Sequence, residues 1–166
     1  MNIEELKNLI SEAQGVLVGV GEEFAARDEN NKERITDAYK TILDMVDGKN
    51  YFVVSENSDE LIFECGFNEK RVVAPYCDRF SEEEGEKKWE FYNAWLMATF
   101  KKKFLVVELG VGFMRPNVIR WPFERVVGMS KDAHFVRVNG MFAQVDESIS
   151  EKAESVGMNS LDFLLG

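Results

Sequence analysis

Residues 104–123 read FLVVELGVGFMRPNVIRWPF, and the fold follows from how that stretch divides. Phe104–Leu109 is a short apolar run interrupted only by Glu108. It lacks the apolar–polar alternation of a strand that faces water on one side. A run of this kind reads as a strand buried on both faces. It stops at Gly110, passes a second glycine at Gly112, and leads behind Pro116 into a helix over Asn117–Val127. Strand, glycine loop and helix together form the repeating unit of a parallel sheet covered on both sides.

The same pattern extends outward in both directions. Gly15–Val20 (GVLVGV), Tyr51–Val54 (YFVV), Arg71–Ala74 and His134–Val138 read as further strands. Between them lie amphipathic helices over Asn2–Ala13 and Lys32–Val46, the latter with Ile35, Ala38, Tyr39, Ile42 and Val46 on one stripe. Asn57–Cys65 reads as a short helix and Ser81–Lys88 as a charged surface segment. A helix over Trp89–Phe100 follows, and Glu147–Val156 and Leu161–Leu165 read as closing helices. The expected fold is therefore α/β. It is a Rossmann-like three-layer α/β/α domain over residues 1–166, with a mostly parallel sheet of about five to six strands.

Composition narrows the function. The chain has 166 residues, a length that suits one domain. Twenty basic against thirty acidic residues leave a net charge of −10. Binders of nucleic acid or of anionic membrane need a basic surface, so neither partner is expected. Hydrophobic residues at 45%, with 13 Phe, exclude a disordered acidic tail. Met1–Lys7 lacks the basic flank and apolar run of a signal peptide, and no apolar stretch is long enough to span a bilayer. Two cysteines, Cys65 and Cys77, and one histidine, His134, do not make a structural zinc set. Free thiols and a cytoplasmic location are the expectation, with no metal site.

In open parallel sheets, ligands sit outside the carboxyl ends of the strands, near the switch in strand order. Four such ends carry distinctive residues: Gly19–Phe24, Ser55–Asp59, Glu108–Pro116 and Asn139–Gly140. Gly19-Val20-Gly21 either lets a ligand approach the backbone or makes a tight turn. Glu22 and Glu23 beside it disfavour a phosphate. Ser55-Glu56-Asn57-Ser58-Asp59 offers polar groups to a ribose or carboxamide, or caps a helix. Arg115 either neutralises a phosphate or pairs with Glu108 or Glu124. The aromatic residues read as core, and His134, at the start of its strand, lies at the wrong end for catalysis.

Taken in order, these segments resemble the sirtuins, most nearly the microbial macrodomain-linked branch that acts as protein ADP-ribosyltransferases. The family's GAGxS loop is similar to Gly19-Val20-Gly21-Glu22-Glu23, and its TQN-x-D strand end to Ser55-Glu56-Asn57-Ser58-Asp59. The branch's short helix and AGF turn are similar to Phe63-Glu64-Cys65-Gly66-Phe67-Asn68. The branch's LELGVGxNTP…IRxPF is matched by Val107–Gly112, Arg115-Pro116 and Val118–Phe123, and the family's IN by Val138-Asn139. The likeness spans about Ala13–Gly140 with large gaps. It implies a domain that binds NAD or an ADP-ribose-type nucleotide. Gly19 and Gly21 would face the pyrophosphate, and Gly110 and Gly112 would lie along the phosphate and adenosine ribose, with Arg115 counted among the cofactor-binding candidates for the phosphate charge it can neutralise. Asn139 would lie near the adenine, Asn57 at the ribose, and Asp59 at the nicotinamide carboxamide.

The departures shape the expected activity. Sirtuins carry a His, or in this branch a Gln, after the strand that Arg71–Ala74 resembles; here Pro75-Tyr76-Cys77-Asp78-Arg79 follows. Glu23 stands at the loop serine and Glu56 at the polar residue before the asparagine. The zinc-ribbon cysteines are absent, and most of the helical lid is missing from the stretch between Gly21 and Tyr51. Deacetylation is therefore not expected. Three readings stand: a degenerate nucleotide-binding domain; an enzyme that cleaves NAD, with Asn57, Glu56 and Asp59 as its catalytic candidates; and a protein-interaction scaffold, a homodimer through Trp89–Phe100.

Overall fold

The computed structural model describes all residues, 1–166. Its strands are β1 (Gly15–Val20), β2 (Tyr51–Ser55), β3 (Val72–Val73), β4 (Phe104–Leu109), β5 (Ala133–Val138) and β6 (Ala153–Val156). Its helices are α1 (Ile3–Glu12), α2 (Glu29–Val46), α3 (Leu61–Glu64), α4 (Glu82–Thr99), α5 (Arg120–Met129) and α6 (Ser160–Leu165). All six strands pair in parallel in the order β3-β2-β1-β4-β5-β6. The fold is a three-layer α/β sandwich of Rossmann type. Strand order reverses between β1 and β4, so a crevice opens at their carboxyl ends.

Strand side chains alternate between two cores. Val16, Val18, Val20, Val53, Leu105, Val107 and Leu109 meet α1, α2 and α6 on one face. Leu17, Phe52, Val54, Phe104, Val106 and Phe135 meet α4 and α5 on the other. Both sets are apolar because both faces are covered, and this produces the unbroken hydrophobic runs in the sequence.

The structure differs from the sequence reading at several places. Ser81–Lys88 is not a surface segment before a helix; α4 starts at Glu82. Ser81 and Glu84 form a reciprocal capping box, and three glutamates occupy the first turn at the positive end of the helix dipole. Glu147–Val156 is not a helix. A 3-10 turn over Glu147–Lys152 leads into β6, which satisfies the open edge of β5 by pairing Phe135 with Ala153 and Val138 with Val156. The helix expected over Asn117–Val127 begins at Arg120, and Pro122 lies in its first turn, where its missing N–H costs no intrahelical bond. The helix expected over Asn57–Cys65 shrinks to Leu61–Glu64.

Candidate functional site

The four distinctive segments meet at the carboxyl edge of the sheet. The main-chain N–H of Gly21 donates to Leu109 O at 3.0 Å, which closes the β1 loop against the β4 loop. That approach needs glycine: a Cβ on Gly21 would stand 2.5 Å from Val111 Cα and 2.7 Å from Gly110 O. Gly110 has φ +67, a left-handed conformation that disfavours any side chain. It lies under Glu23, whose Cβ is 2.5 Å from where a Gly110 side chain would begin.

Glu23 ties the crevice together. Its Oε1 accepts from the Ser160 N–H at 2.8 Å and its Oε2 from the Gly140 N–H at 2.9 Å. A carboxylate of the chain itself therefore satisfies the loop after β5 and the start of α6. Gly112 lies against the Glu22 carboxylate, and Gly19 against Ile119 and Phe123, where its missing side chain lets α5 approach β1.

The two asparagines are also engaged. Asn139, 2% exposed, donates through Nδ2 to Val111 O at 2.9 Å and accepts from the N–H groups of Met141 and Phe142. Asn57 donates through Nδ2 to Gly21 O at 3.0 Å. Asp59 accepts from the Leu61 N–H at 3.2 Å, as a capping residue would at the start of α3.

Glu56 is the exception. It is 2% exposed, and neither of its carboxylate oxygens has a hydrogen-bond partner. Burial, then the nearby Glu22 charge, pushes its pKa up to about 7, against the weaker pull of Arg115. Arg115 does not reach the carboxylate; it donates through Nη1 to Glu56 O at 2.6 Å and stacks over Tyr76 at 3.9 Å. These groups border a cleft of about 370 Å³ lined by Glu22, Arg27, Glu56, Asn57, Asp59 and Arg115. A carboxyl titrating near neutrality in a cleft can hold or take up a proton at physiological pH.

The partners suggested for Arg115 were Glu108 and Glu124, and it pairs with neither. Both belong to a buried network that the sequence reading missed. Arg137 Nε and Nη2 grip Glu108 at 2.7 and 3.0 Å, and Nη2 also reaches Glu124 at 2.8 Å. Arg120 adds hydrogen bonds to the carbonyls of Val111, Phe142 and Gln144, so buried guanidinium groups fix the loops after β4 and β5. The available signal was register: Glu108 and Arg137 are paired positions on neighbouring strands. His134, at the start of β5, lies 3.7 Å from Glu154 at the amino-terminal end of its strand, away from the crevice. Cys65 and Cys77 are free thiols, and no three His, Cys, Asp or Glu side chains converge to hold a metal ion. No protein-family model matches the sequence, and no curated protein matches it either.

Proposed function

We infer that the chain is a sirtuin-like domain that binds a nucleotide-type small molecule, NAD or an ADP-ribose relative, and does not deacylate. Three features support this reading: the reversal of strand order between β1 and β4, the ordered motif likeness, and the convergence of Asn57, Asp59 and Arg115 on one cleft. The observation that carries it is the buried, unpartnered Glu56 bordering that cleft, a polar group with no internal use. The acidic lining suits the nicotinamide-riboside end of NAD, whose ring is cationic, better than the pyrophosphate. Glu23 already occupies the N–H groups of Gly140 and Ser160 that a phosphate would need.

Calorimetry with NAD, ADP-ribose and nicotinamide riboside tests the reading. Absence of heat from all three at millimolar concentration removes it and leaves the scaffold reading. That alternative draws on Phe91 and Met97, which stand exposed on α4 and suit a homodimer contact. NAD cleavage is the second reading, favoured by the near-neutral Glu56 carboxyl, which can assist departure of a neutral leaving group or activate water. Chromatography for released nicotinamide tests it, and Glu56→Gln and Asn57→Ala are then expected to abolish release.

A further inference from the structure

We propose that the Glu56 cleft is a recognition site for an organic cation carrying N–H donors, an amidinium, guanidinium or primary ammonium group. The proposal deepens the nucleotide reading by naming the charge and donor type of the group seated at Glu56, and it can also stand if no nucleotide binds.

The cleft has a buried acceptor and no internal donor for it. Both Glu56 oxygens lie out of solvent contact without a partner, although buried carboxylates are ordinarily satisfied. The main-chain N–H of Glu22 contributes only the weakest pull on the carboxylate and does not meet hydrogen-bond geometry with either oxygen. The one nearby guanidinium, on Arg115, is turned to the Glu56 carbonyl and the Tyr76 ring. A forked donor that parts the side chains lining the cleft reaches both oxygens at once, the strongest pairing available to a carboxylate.

The surroundings favour a cation over a neutral or anionic ligand. The charged groups facing Glu56 are Glu22 after β1, Glu108 on β4 and Arg115 after β4. Asp59 and Arg27 complete the charged lining of the cleft. Glu108 is already neutralised by Arg137, and Arg115 and Arg27 offset only two of the three remaining carboxylates, Glu22, Glu56 and Asp59, so the cleft keeps a net negative charge when Glu56 is ionised. A metal ion is the wrong occupant, because no three carboxylates converge on one point. The volume of about 370 Å³ lies in the range of small-molecule sites and exceeds what a bare ion needs.

Benzamidine is a suitable probe, with benzamide as its neutral analogue and benzoate as its anionic one. Titrations of the full chain at pH 8, followed by amide chemical shifts, should give saturable binding of benzamidine, with shifts centred on residues 22–27 and 56–59. Benzamide and benzoate should bind at least roughly tenfold more weakly, the worth of one charge-assisted hydrogen bond. Affinity for benzamidine should fall roughly tenfold from pH 8 to pH 6, as Glu56 takes up its proton at about 7. Glu56→Gln should remove both the preference and the pH dependence, with circular dichroism confirming the fold, and Glu22→Gln should weaken binding and keep the preference. Equal affinities for benzamidine and benzamide, or a Glu56→Gln protein that binds benzamidine as the parent does, would overturn the proposal. If benzamidine binds while NAD, ADP-ribose and nicotinamide riboside do not, the cation site stands and the nucleotide reading fails. The reverse pattern sinks the cation site alone.

Discussion

Replacing Glu56 with Gln should make the protein less sensitive to alkaline pH, by an amount the structure sets. The carboxyl has an ordinary pKa of 4.5 and titrates at about 7 in the folded chain, first because of burial and then because of Glu22. The folded state therefore keeps this proton to higher pH than the unfolded state does. Stability from the group is fully present below pH 4.5, declines as pH rises, and is lost above about 7. The interval corresponds to roughly 3 kcal/mol, a large share of the ~5–15 kcal/mol that holds a typical domain together. Every other titrating group is common to both proteins, so the difference between parent and variant isolates Glu56. The assay is urea denaturation of both proteins at half-unit intervals from pH 5 to pH 8. The stability of Glu56→Gln relative to the parent should rise by about 2–3 kcal/mol across that range, with its steepest change between the unfolded and folded pKa values and a levelling-off above about 7. A difference that stays level within about 0.5 kcal/mol would mean that the folded chain supplies Glu56 with a donor, and the account of the cleft would collapse.

Three further outcomes test the surrounding framework. Gly19→Ala would place a methyl group 2.6 Å from Ile119 Cγ2 and 2.7 Å from Phe123 Cε2, so thermal denaturation should show a loss of about 1–3 kcal/mol; an unchanged midpoint would mean that α5 can shift freely. Glu108→Leu removes the two-pronged partner of the buried Arg137 and leaves it only the half-buried Glu124, so about 2–4 kcal/mol should be lost in urea denaturation, while adding Arg137→Met should restore part of it; simply additive losses would show that the pair is not coupled. Glu23→Ala frees the Gly140 and Ser160 N–H groups, whose hydrogen exchange should accelerate about 10–100-fold with β1 and β4 still protected; unchanged exchange would deny Glu23 its tie.

The parts of the fold legible in the sequence are those where one physical signal dominated. β1, β2, β4 and β5 are buried on both faces, so their uninterrupted apolar runs marked them within a residue or so. β6 was hidden because an edge strand need not be apolar: Glu154 is half-buried and Ser155 exposed, and the segment is fixed by its hydrogen bonds to β5. The first half of α4 was hidden because its side chains face water; the Ser81–Glu84 capping box was the local clue that a helix began there. At the crevice, the glycines and polar strand ends gave the location, since topology alone gathers them. The partner of each group was not legible. Glu23 reaches Ser160 across 137 positions of sequence, and Arg137 reaches Glu108 through strand register, and a linear reading weighs neither.

Those long-range contacts decide what the crevice can offer a ligand. In a dinucleotide site, free N–H groups and glycine backbone wait for phosphate oxygens. Here Gly140 and Ser160 give their N–H groups to Glu23, and both Asn139 and Asn57 are spent on main-chain carbonyls. The donor side of the crevice is consumed internally, and the acceptor side is left over, concentrated at Glu56. A nucleotide entering without displacing Glu23 gains little at its phosphates and must find its affinity at the Glu56 end. Removing the tie should therefore act selectively. Glu23→Ala is expected to raise affinity for ADP-ribose, which carries only the anionic part, while leaving benzamidine binding unchanged. With one repulsive carboxylate removed and two donors released, a gain of roughly tenfold or more is expected. Equal gains for both ligands would mean that Glu23 acts through overall charge, and no gain for ADP-ribose would mean that Gly140 and Ser160 are not a phosphate seat in this chain.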